Sequence, residues 1–545
     1  VGAISNKLAR FMPAGFYYKT FLAPAGFWKH IYEPFIRRSA GLGRAPGAES
    51  RDADSYEHFH VHTDVVVVGG GVGGLQAARA AADSGARVLL LEQSAHWGGR
   101  TPVDGGEIAG LSAGDWVREA VEVLESMDNV TLRLRCMGAG IYDHGYVLGY
   151  ERRTDHAPEA GGPRHRLWRI RAKQVIPATG AIERPLSFAG NDIPGVMLGS
   201  AVRDFVVNYG VAPGQRTVVV TNNDEGYGTA FLLKEAGLEV AAILDARPMG
   251  GGAAMMRARA MGLRVEPGRG ISRVLGGKYV TGVETCLQSG QGAVLEQIDC
   301  DAVAMSGGWS PVVHLWSHCG GKLTWDSEGC FFRPDPARAA TGHDGAAFVT
   351  AAGAANGAMR LKDVLQDADK SVKEAIARAG FTPRDDPAPI TPDTPYEVAL
   401  APVWMMPKGA TPDLRMKAWL DFQNDVKVSD IQLAAREGYE SVEHAKRYTT
   451  LGMATDQGKL SNINGLAILS DALGQPIPQT GTTTFRPPYT PISFGAIAGE
   501  ARGEIFQPLR RTTVHEWHEG NGATWEPVGH WRRPYTYPRA GEDAH

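Results

Sequence analysis

No apolar run in this 545-residue chain approaches the roughly 18 residues a membrane-crossing helix needs, so no span is expected. Cysteine is scarce. Cys136, Cys286, Cys300, Cys319 and Cys330 are the five in the chain, and no two of them form a Cys-x-x-Cys pair. That removes the usual dithiol redox motif and any metal-like spacing; an odd number of scattered thiols reads as reduced thiols in a cytoplasmic protein. A surplus of basic charge is also missing. Lys and Arg number 56 against 60 Asp and Glu, for a formal net charge of −4, which gives no reason to expect nucleic acid. The sequence has no Gly-x-Ser-x-Gly elbow, no His-Glu-x-x-His, no Walker loop, no repeat of 20–50 residues and no low-complexity tract. The first 40 residues lack the continuous apolar stretch of a secretory signal, and the chain starts at Val1, as expected of a processed chain or a piece of a longer one.

What the chain has in quantity is glycine, 68 residues, concentrated before residue 360. The most telling stretch is 64–92, DVVVVGGGVGGLQAARAAADSGARVLLLE. An apolar strand, Val65–Val68, runs into Gly69-x-Gly71-x-x-Gly74. A helix of small residues follows, then a second apolar strand, Val88–Leu91, ending in Glu92. This is a dinucleotide-binding fingerprint in its full context. Gly69 allows the tight turn, Gly71 lets the backbone approach a pyrophosphate, and Gly74 lets helix and strand pack closely. The phosphates belong at the helix N-terminus, where free N–H groups and the dipole favour negative charge. Glu92 is placed to grip an adenosine ribose, and its carboxylate favours NAD or FAD over NADP because it repels a 2′-phosphate.

The composition is that of a soluble globular protein, and the length predicts several domains. Residues 1–60 are an arm rich in aromatics (Phe11, Phe16, Tyr17, Tyr18, Phe21, Phe27, Trp28, Tyr32, Phe35), expected to pack on the body or on another subunit. The fold class is α/β, of the two-dinucleotide-domain flavoprotein type, with a small helical domain and an extended C-terminal segment. Residues 61–181 and 331–380 form the first dinucleotide domain. In it, Gly98 and Gly99 let a loop lie against the nucleotide, and Val175–Ala181 reads as a strand turning at Thr179-Gly180. Residues 182–330 form a second Rossmann-like domain. Its glycine loop, Asn222–Ala230, is degenerate, with Asp224 and Glu225 where a pyrophosphate would sit, so ordinary dinucleotide binding is expected to be lost there; Asp245 leaves a residual ribose site open. Where FAD-binding relatives of this architecture carry a Gly-Asp pair for the ribityl chain, this chain has Gly353-Ala354, which tilts the expectation from FAD to NAD. Residues 381–415, dense in proline, are a stiff linker. Residues 416–475 are a small helical domain, with a capping box expected at Ser429-x-x-Gln432 and helices at Ser441–Tyr448 and Asn464–Leu473. Residues 476–545 are an extended tail. His515 and His518, three apart in VHEWHEG, lack a third ligand and read as structural. Lys459 lies in a polar, glycine-bearing loop, where it could meet a phosphate or flavin edge or be simply exposed. The residues alone yield no catalytic acid, base or nucleophile and no metal site.

Taken together, DVVVVGGGVGGLQAA, TNNDEGYGTAFLLKEAGLEV, AGAANG, DFQNDVKVSDIQLAAREGYESVEHAKRYTTLGMATDQGKLSN and TTTFRPPYTPISFG resemble the alpha subunits of heterotetrameric sarcosine oxidases. The resemblance implies a complex with beta, gamma and delta subunits that oxidatively demethylates sarcosine to glycine. It uses O₂, forms H₂O₂, and releases the one-carbon unit as formaldehyde or passes it to tetrahydrofolate. It implies amine oxidation at FAD on the beta subunit, FMN at the interface with the beta subunit, and NAD on this chain outside the electron path. Gly69, Gly71, Val72, Gly74, Glu92, Gln93, Arg100, Gly138, Ala354 and Met359 are implied to line the NAD, though Arg100 stands where the family often has Thr and Gln93 where it often has Arg. The helical domain resembles a cysteine-cluster domain, but no Cys follows Cys330, so no iron–sulfur centre is expected. Lys459 and Thr482–Thr484 are the implied contacts to FMN. Trp531–Tyr535 looks like the start of a folate-binding aminomethyltransferase domain, which these residues do not include. The matching subunit of N-methylglutamate dehydrogenase or of another amino-acid dehydrogenase, and a non-catalytic nucleotide-binding scaffold, remain alternatives. A stand-alone pyridine-nucleotide reductase would need a redox cysteine pair or its own flavin.

Overall fold

The computed structural model describes residues 23–39, 41, 47, 49–392 and 399–543. Two compact units divide the chain, residues 1–54 and 55–545. In the first, Ala25–Ser39 is helical with Phe27, Trp28 and Phe35 exposed; Phe11, Phe16, Tyr17, Tyr18 and Phe21 lie outside the described residues.

The second unit begins with β1, Tyr56–Val68, which is longer than the expected Val65–Val68. Its Val65–Val68 run is buried on both faces, the pattern of a central strand in a parallel sheet covered by helices. The chain continues through α1 (Val72–Asp83), β2 (Val88–Leu91), α2 (Ala113–Glu125), β3 (Val130–Arg133), β4 (Cys136–Tyr142), β5 (Tyr146–Arg152) and β6 (His165–Pro177). These strands form one sheet in the order β3-β2-β1-β6-β5-β4. β1 is parallel to both neighbours, with Val65 opposite Val88 on β2 and Gln174 on β6. Ala77, Ala78, Ala81 and Ala82 on α1 are buried, and their small side chains bring the helix close to the sheet.

A second sheet is built from β7 (Val196–Leu198), β8 (Arg216–Thr221), β9 (Glu239–Asp245), β10 (Val265–Pro267) and a later strand, Ala302–Ser306, in the order β7, Ala302–Ser306, β8, β9, β10, all parallel. Its helices include α3 (Gly199–Tyr209) and α4 (Glu225–Glu235). A three-stranded antiparallel layer, Arg269–Asp299, lies against it. The chain then returns: the Val349 backbone bridges to Val175, and α5 (Leu361–Arg378) packs on α1 within the first core.

Three expectations about the rest change. The proline-rich segment, expected as a stiff linker, also packs into the body, with Val403, Met405 and Met406 buried and the Ile390 carbonyl accepting the Ala109 N–H at 2.7 Å. The helical module contains α6 (Val428–Arg436), α7 (Val442–Thr449) and α8 (Asn462–Leu473) around Ile431, Val442, Leu451 and Leu466. Its first cap is not the Ser429–Gln432 box. α6 starts earlier, and the Asp430 carboxylate accepts the Lys427 N–H at 2.9 Å, while Gln432 accepts from Arg415. The tail is not simply extended. It carries helices at Phe494–Ala498 and His515–Gly520 and a hairpin pairing Trp525–Val528 with Trp531–Pro534. His515 stacks on Trp525 and His518 bonds the Tyr537 hydroxyl; among the described residues no group of side chains could hold a metal ion. Among those residues, too, no helix is long and apolar enough to cross a membrane.

Candidate functional site

The candidate site is the carboxyl edge of the first sheet, where β1 turns into α1. In open parallel sheets this edge is the ligand-binding side. Gly69 turns the chain with φ of 114°; a Cβ there would lie 2.3 Å from the Ala178 carbonyl oxygen. A Cβ on Gly74 would lie 1.8 Å from the Gly69 carbonyl oxygen, so helix and turn touch backbone to backbone. Gly71 differs: it caps α1, and a Cβ built on it meets nothing within 4 Å. Packing does not demand glycine there. The bare position faces a space beside the first-turn N–H groups of α1, including that of Val72, which a helix leaves without intrahelical acceptors. That is the cradle a diphosphate needs.

Around this turn the fold gathers most of the residues the sequence picked out. Glu92 is buried just beyond β2, where it accepts the Gly70 N–H at 2.7 Å through one oxygen and the Ser94 N–H at 2.7 Å through the other. Each carboxylate oxygen has a second lone pair, so the side chain holds the turn and still has acceptor capacity for ribose hydroxyls. The Gly98 N–H donates to the Gly70 carbonyl at 2.8 Å, and a Cβ on Gly99 would sit 3.2 Å from Gly71 Cα. Beyond β6, Thr179 Oγ1 donates to the Val312 carbonyl at 2.7 Å, and Gly180 has φ of 75°. Gly353 reaches α1, its Cα 3.8 Å from the Gly73 Cβ position, and Ala354 follows on the same short turn.

Other picks sit differently. Gly138 is glycine for packing, since its Cβ would lie 2.4 Å from Val68 Cγ1. Gln93 and Met359 are exposed. Arg100 turns its guanidinium to Asp104 at 2.9 Å and Asp204 at 3.0 Å, over the Trp309 ring. Lys459 belongs to another place. Its Nζ donates to the carbonyls of Asp456 at 3.0 Å and Tyr489 at 2.7 Å, and lies 3.8 Å from the centre of the Tyr489 ring. Burial holds this ammonium below the usual lysine range. His314 stacks on Tyr489, with its pKa pushed well down by burial. Nearby, Thr483 accepts from Asn462 and the Thr484 N–H donates to Glu443. Sequence reasoning missed Asp367, whose carboxylate accepts the Gly353 N–H at 2.7 Å and the Asn356 amide at 2.9 Å; burial raises its pKa.

The corresponding turn of the second sheet is closed. Asp224 caps α4 where Gly71 caps α1. Asp245, fully buried, accepts the Arg247 backbone N–H at 2.9 Å, its Nε at 3.0 Å and the Tyr227 hydroxyl at 2.8 Å. Arg247 Nη2 also pairs with Asp224 at 2.7 Å. The residual ribose site left open at Asp245 is thus occupied by the protein's own side chains. The cysteines give no second chemistry: all five are free, and burial pushes Cys286 and Cys319 up to about 11 and Cys300 up to about 12. A cleft of about 340 Å³ between α1, α2, α5 and Pro387–Pro389 is lined by mixed charges around Trp116 and lacks any glycine turn.

Two sheets, the first with a parallel core (β3-β2-β1-β6) extended by antiparallel β5 and β4 and the second all parallel, with a glycine turn at the edge of the first, define a nucleotide-binding oxidoreductase architecture. Consistent with it, residues 63–331 match the pyridine nucleotide-disulphide oxidoreductase family, and the fold resembles the L-proline dehydrogenase structure from P. horikoshii, with a TM-score of 0.59, 20% identity and 83% of this chain covering 82% of that one. Residues 415–500 match the sarcosine oxidase A3 domain. Over 99% of its length the chain is 41% identical to "Sarcosine oxidase subunit alpha" of Rhizobium meliloti (strain 1021), covering 53% of it, and over 93% it is 40% identical to the protein of that name from Corynebacterium sp. (strain P-1), covering 52%. Over nearly its whole length the chain is similar to sarcosine oxidase alpha subunits, and it spans about half the length of these curated relatives.

Proposed function

We propose that this chain is the NAD-holding alpha subunit of a sarcosine oxidase complex. The observation that carries the reading is the bare face of Gly71 beside Glu92, with Ala354 where a flavin's ribityl chain would call for Asp. The N–H groups at the start of α1 bind the diphosphate, Glu92 receives the adenosine ribose hydroxyls, and the Trp97–Arg100 loop screens the phosphates from water. NAD, when bound, supplies a hydride-accepting ring, which the resembled family leaves outside its electron path. No acid, base or nucleophile on this chain is assigned a step. Oxidative demethylation of sarcosine to glycine, with H₂O₂ and formaldehyde or methylene-tetrahydrofolate as the other products, is placed with FAD on the beta subunit. FMN lies at the interface with that subunit, where the helical module offers Lys459 and the Thr482–Thr484 run. The gamma and delta subunits complete the complex, which works in the cytoplasm. Folate binding is not placed on these residues.

The test is mass spectrometry of small molecules released from the purified complex and from this chain alone. NAD from both, with flavin only from the complex, is the expected result. FAD from the isolated chain would contradict the cofactor assignment.

A further inference from the structure

The strap between Trp97 and Asp104 touches both dinucleotide units. At its start it lies on the phosphate turn, through the Gly98 N–H to the Gly70 carbonyl and the contact of Gly99 with Gly71. At its far end it is fastened to α3 of the second unit by a crossed pair of ion pairs. Arg100 of the strap reaches Asp204 of α3 at 3.0 Å, and Arg203 of α3 reaches Asp104 of the strap at 3.2 Å. Arg100 to Asp104, at 2.9 Å, joins the two pairs into one cluster. Glu225, at the start of α4, approaches Arg203 at 3.6 Å. The cluster is only partly closed to water: Asp104 and Asp204 keep 30% and 38% of their side-chain surface, while Arg203 keeps 6%. Arg203 nonetheless leaves Nε and Nη2 without hydrogen-bond partners.

We propose that this crossed clasp is the latch of the nucleotide seat: a bound dinucleotide is exchanged only when the strap lifts from α3. The proposal rests on the nucleotide reading above. The geometry supports it at both ends. Arg203 and Asp204, neither of which belongs to the seat, tether the far end of the strap whose near end rests on the phosphate turn. The clasp is not a permanent weld. Its closed form leaves one edge of the Arg203 guanidinium unpaired, a cost of closure that an open form can relieve by hydration. A latch made of partly exposed charges also responds to salt, since the screening length falls from about 10 Å at 0.1 M to about 3 Å at 1 M.

The experiment measures exchange of bound NAD against isotope-labelled NAD, following release and uptake separately. The proteins are the unsubstituted one and its Asp204→Asn, Arg203→Met and Asp204→Glu variants. Loss of one charge-assisted contact predicts release and uptake both about 10-fold faster in Asp204→Asn and Arg203→Met, with nearly unchanged affinity; Asp204→Glu stays slow. In the unsubstituted protein, exchange speeds up with salt, a readout that does not depend on how the variants fold. Unchanged rates in both variants would overturn the latch, as would exchange insensitive to salt. Faster release with unchanged uptake would also overturn it, by marking these side chains as holders of the bound ligand. An unsubstituted protein that binds no NAD would overturn the nucleotide reading itself, and the latch with it.

Discussion

The parallel cores of the two sheets present the same turn in opposite conditions. In the first, a glycine caps the helix and leaves its face bare, and the acid beyond the second strand is held only by backbone N–H groups. In the second, an aspartate caps the helix, and the acid at the strand end is saturated by Arg247 and Tyr227. Burial and the neighbouring Asp245 both raise the pKa of Tyr227, so it serves as a hydrogen-bond donor. The pair teaches that topology supplies a seat only where the chain's own side chains have not filled it. A fold of this kind argues for function one turn at a time.

The sharpest way to break the contrast is to fill the first seat. Gly71→Val should abolish NAD retention while leaving the fold intact, because its Cβ meets no protein atom. NAD content per chain together with a circular dichroism melt checks both halves. Gly74→Ala is the control that should unfold, since its Cβ lies 1.8 Å from a carbonyl oxygen.

Opening the second seat should do the reverse. Arg247→Ala strips the buried Asp245 of its guanidinium partner, leaving it the backbone N–H at position 247 and the Tyr227 hydroxyl, and should cost about 3–5 kcal/mol of stability, measured by denaturant unfolding, with NAD content unchanged. A fall in NAD content matching that of Gly71→Val would erase the distinction between the units.

A smaller effect tests the acid of the first seat. Glu92→Gln keeps one acceptor for the turn but loses the charge, and should weaken NAD by about 10-fold in a calorimetric titration. Asp245→Asn should leave that affinity untouched.

The smallest effect is a baseline common to both units. Burial holds His318 down to about 4, from an ordinary 6.5. The unfolded chain takes up that proton as pH falls through 6.5, the folded chain only near 4. Stability is therefore full above pH 6.5 and declines as pH falls toward 4. His318→Phe should flatten this slope equally with and without NAD, read as Tm against pH.

Much of the first seat was legible because it is local: Gly69, Gly71, Gly74 and Glu92 lie within one strand–helix–strand passage whose spacing encodes the turn. The crowding of the second sheet's turn was half legible, from Asp224, but the side chain that pairs with it, Arg247, was not. Arg247 stands two residues past Asp245, and nothing in that spacing says its guanidinium folds back. Asp367 escaped in the same way, since nothing in its 14-residue spacing from Gly353 says its carboxylate turns back to that turn; the Arg100–Asp204 and Asp104–Arg203 pairs escaped because they join elements far apart in sequence. The capping box was misread because Ser429 and Gln432 fit the local rule while Lys427 and Asp430 made the cap. The proline-rich segment looked like a spacer because composition reports stiffness and not burial, and Val403 and Met406 buried it.

The central claim is that the first seat alone holds an adenine dinucleotide. The most direct measurement is the nucleotide content of the purified chain alongside its Gly71→Val and Arg247→Ala variants, released by denaturation and identified by mass. The account predicts NAD in the parent and in Arg247→Ala, and none in Gly71→Val. NAD that persists in Gly71→Val, or disappears only from Arg247→Ala, would contradict it.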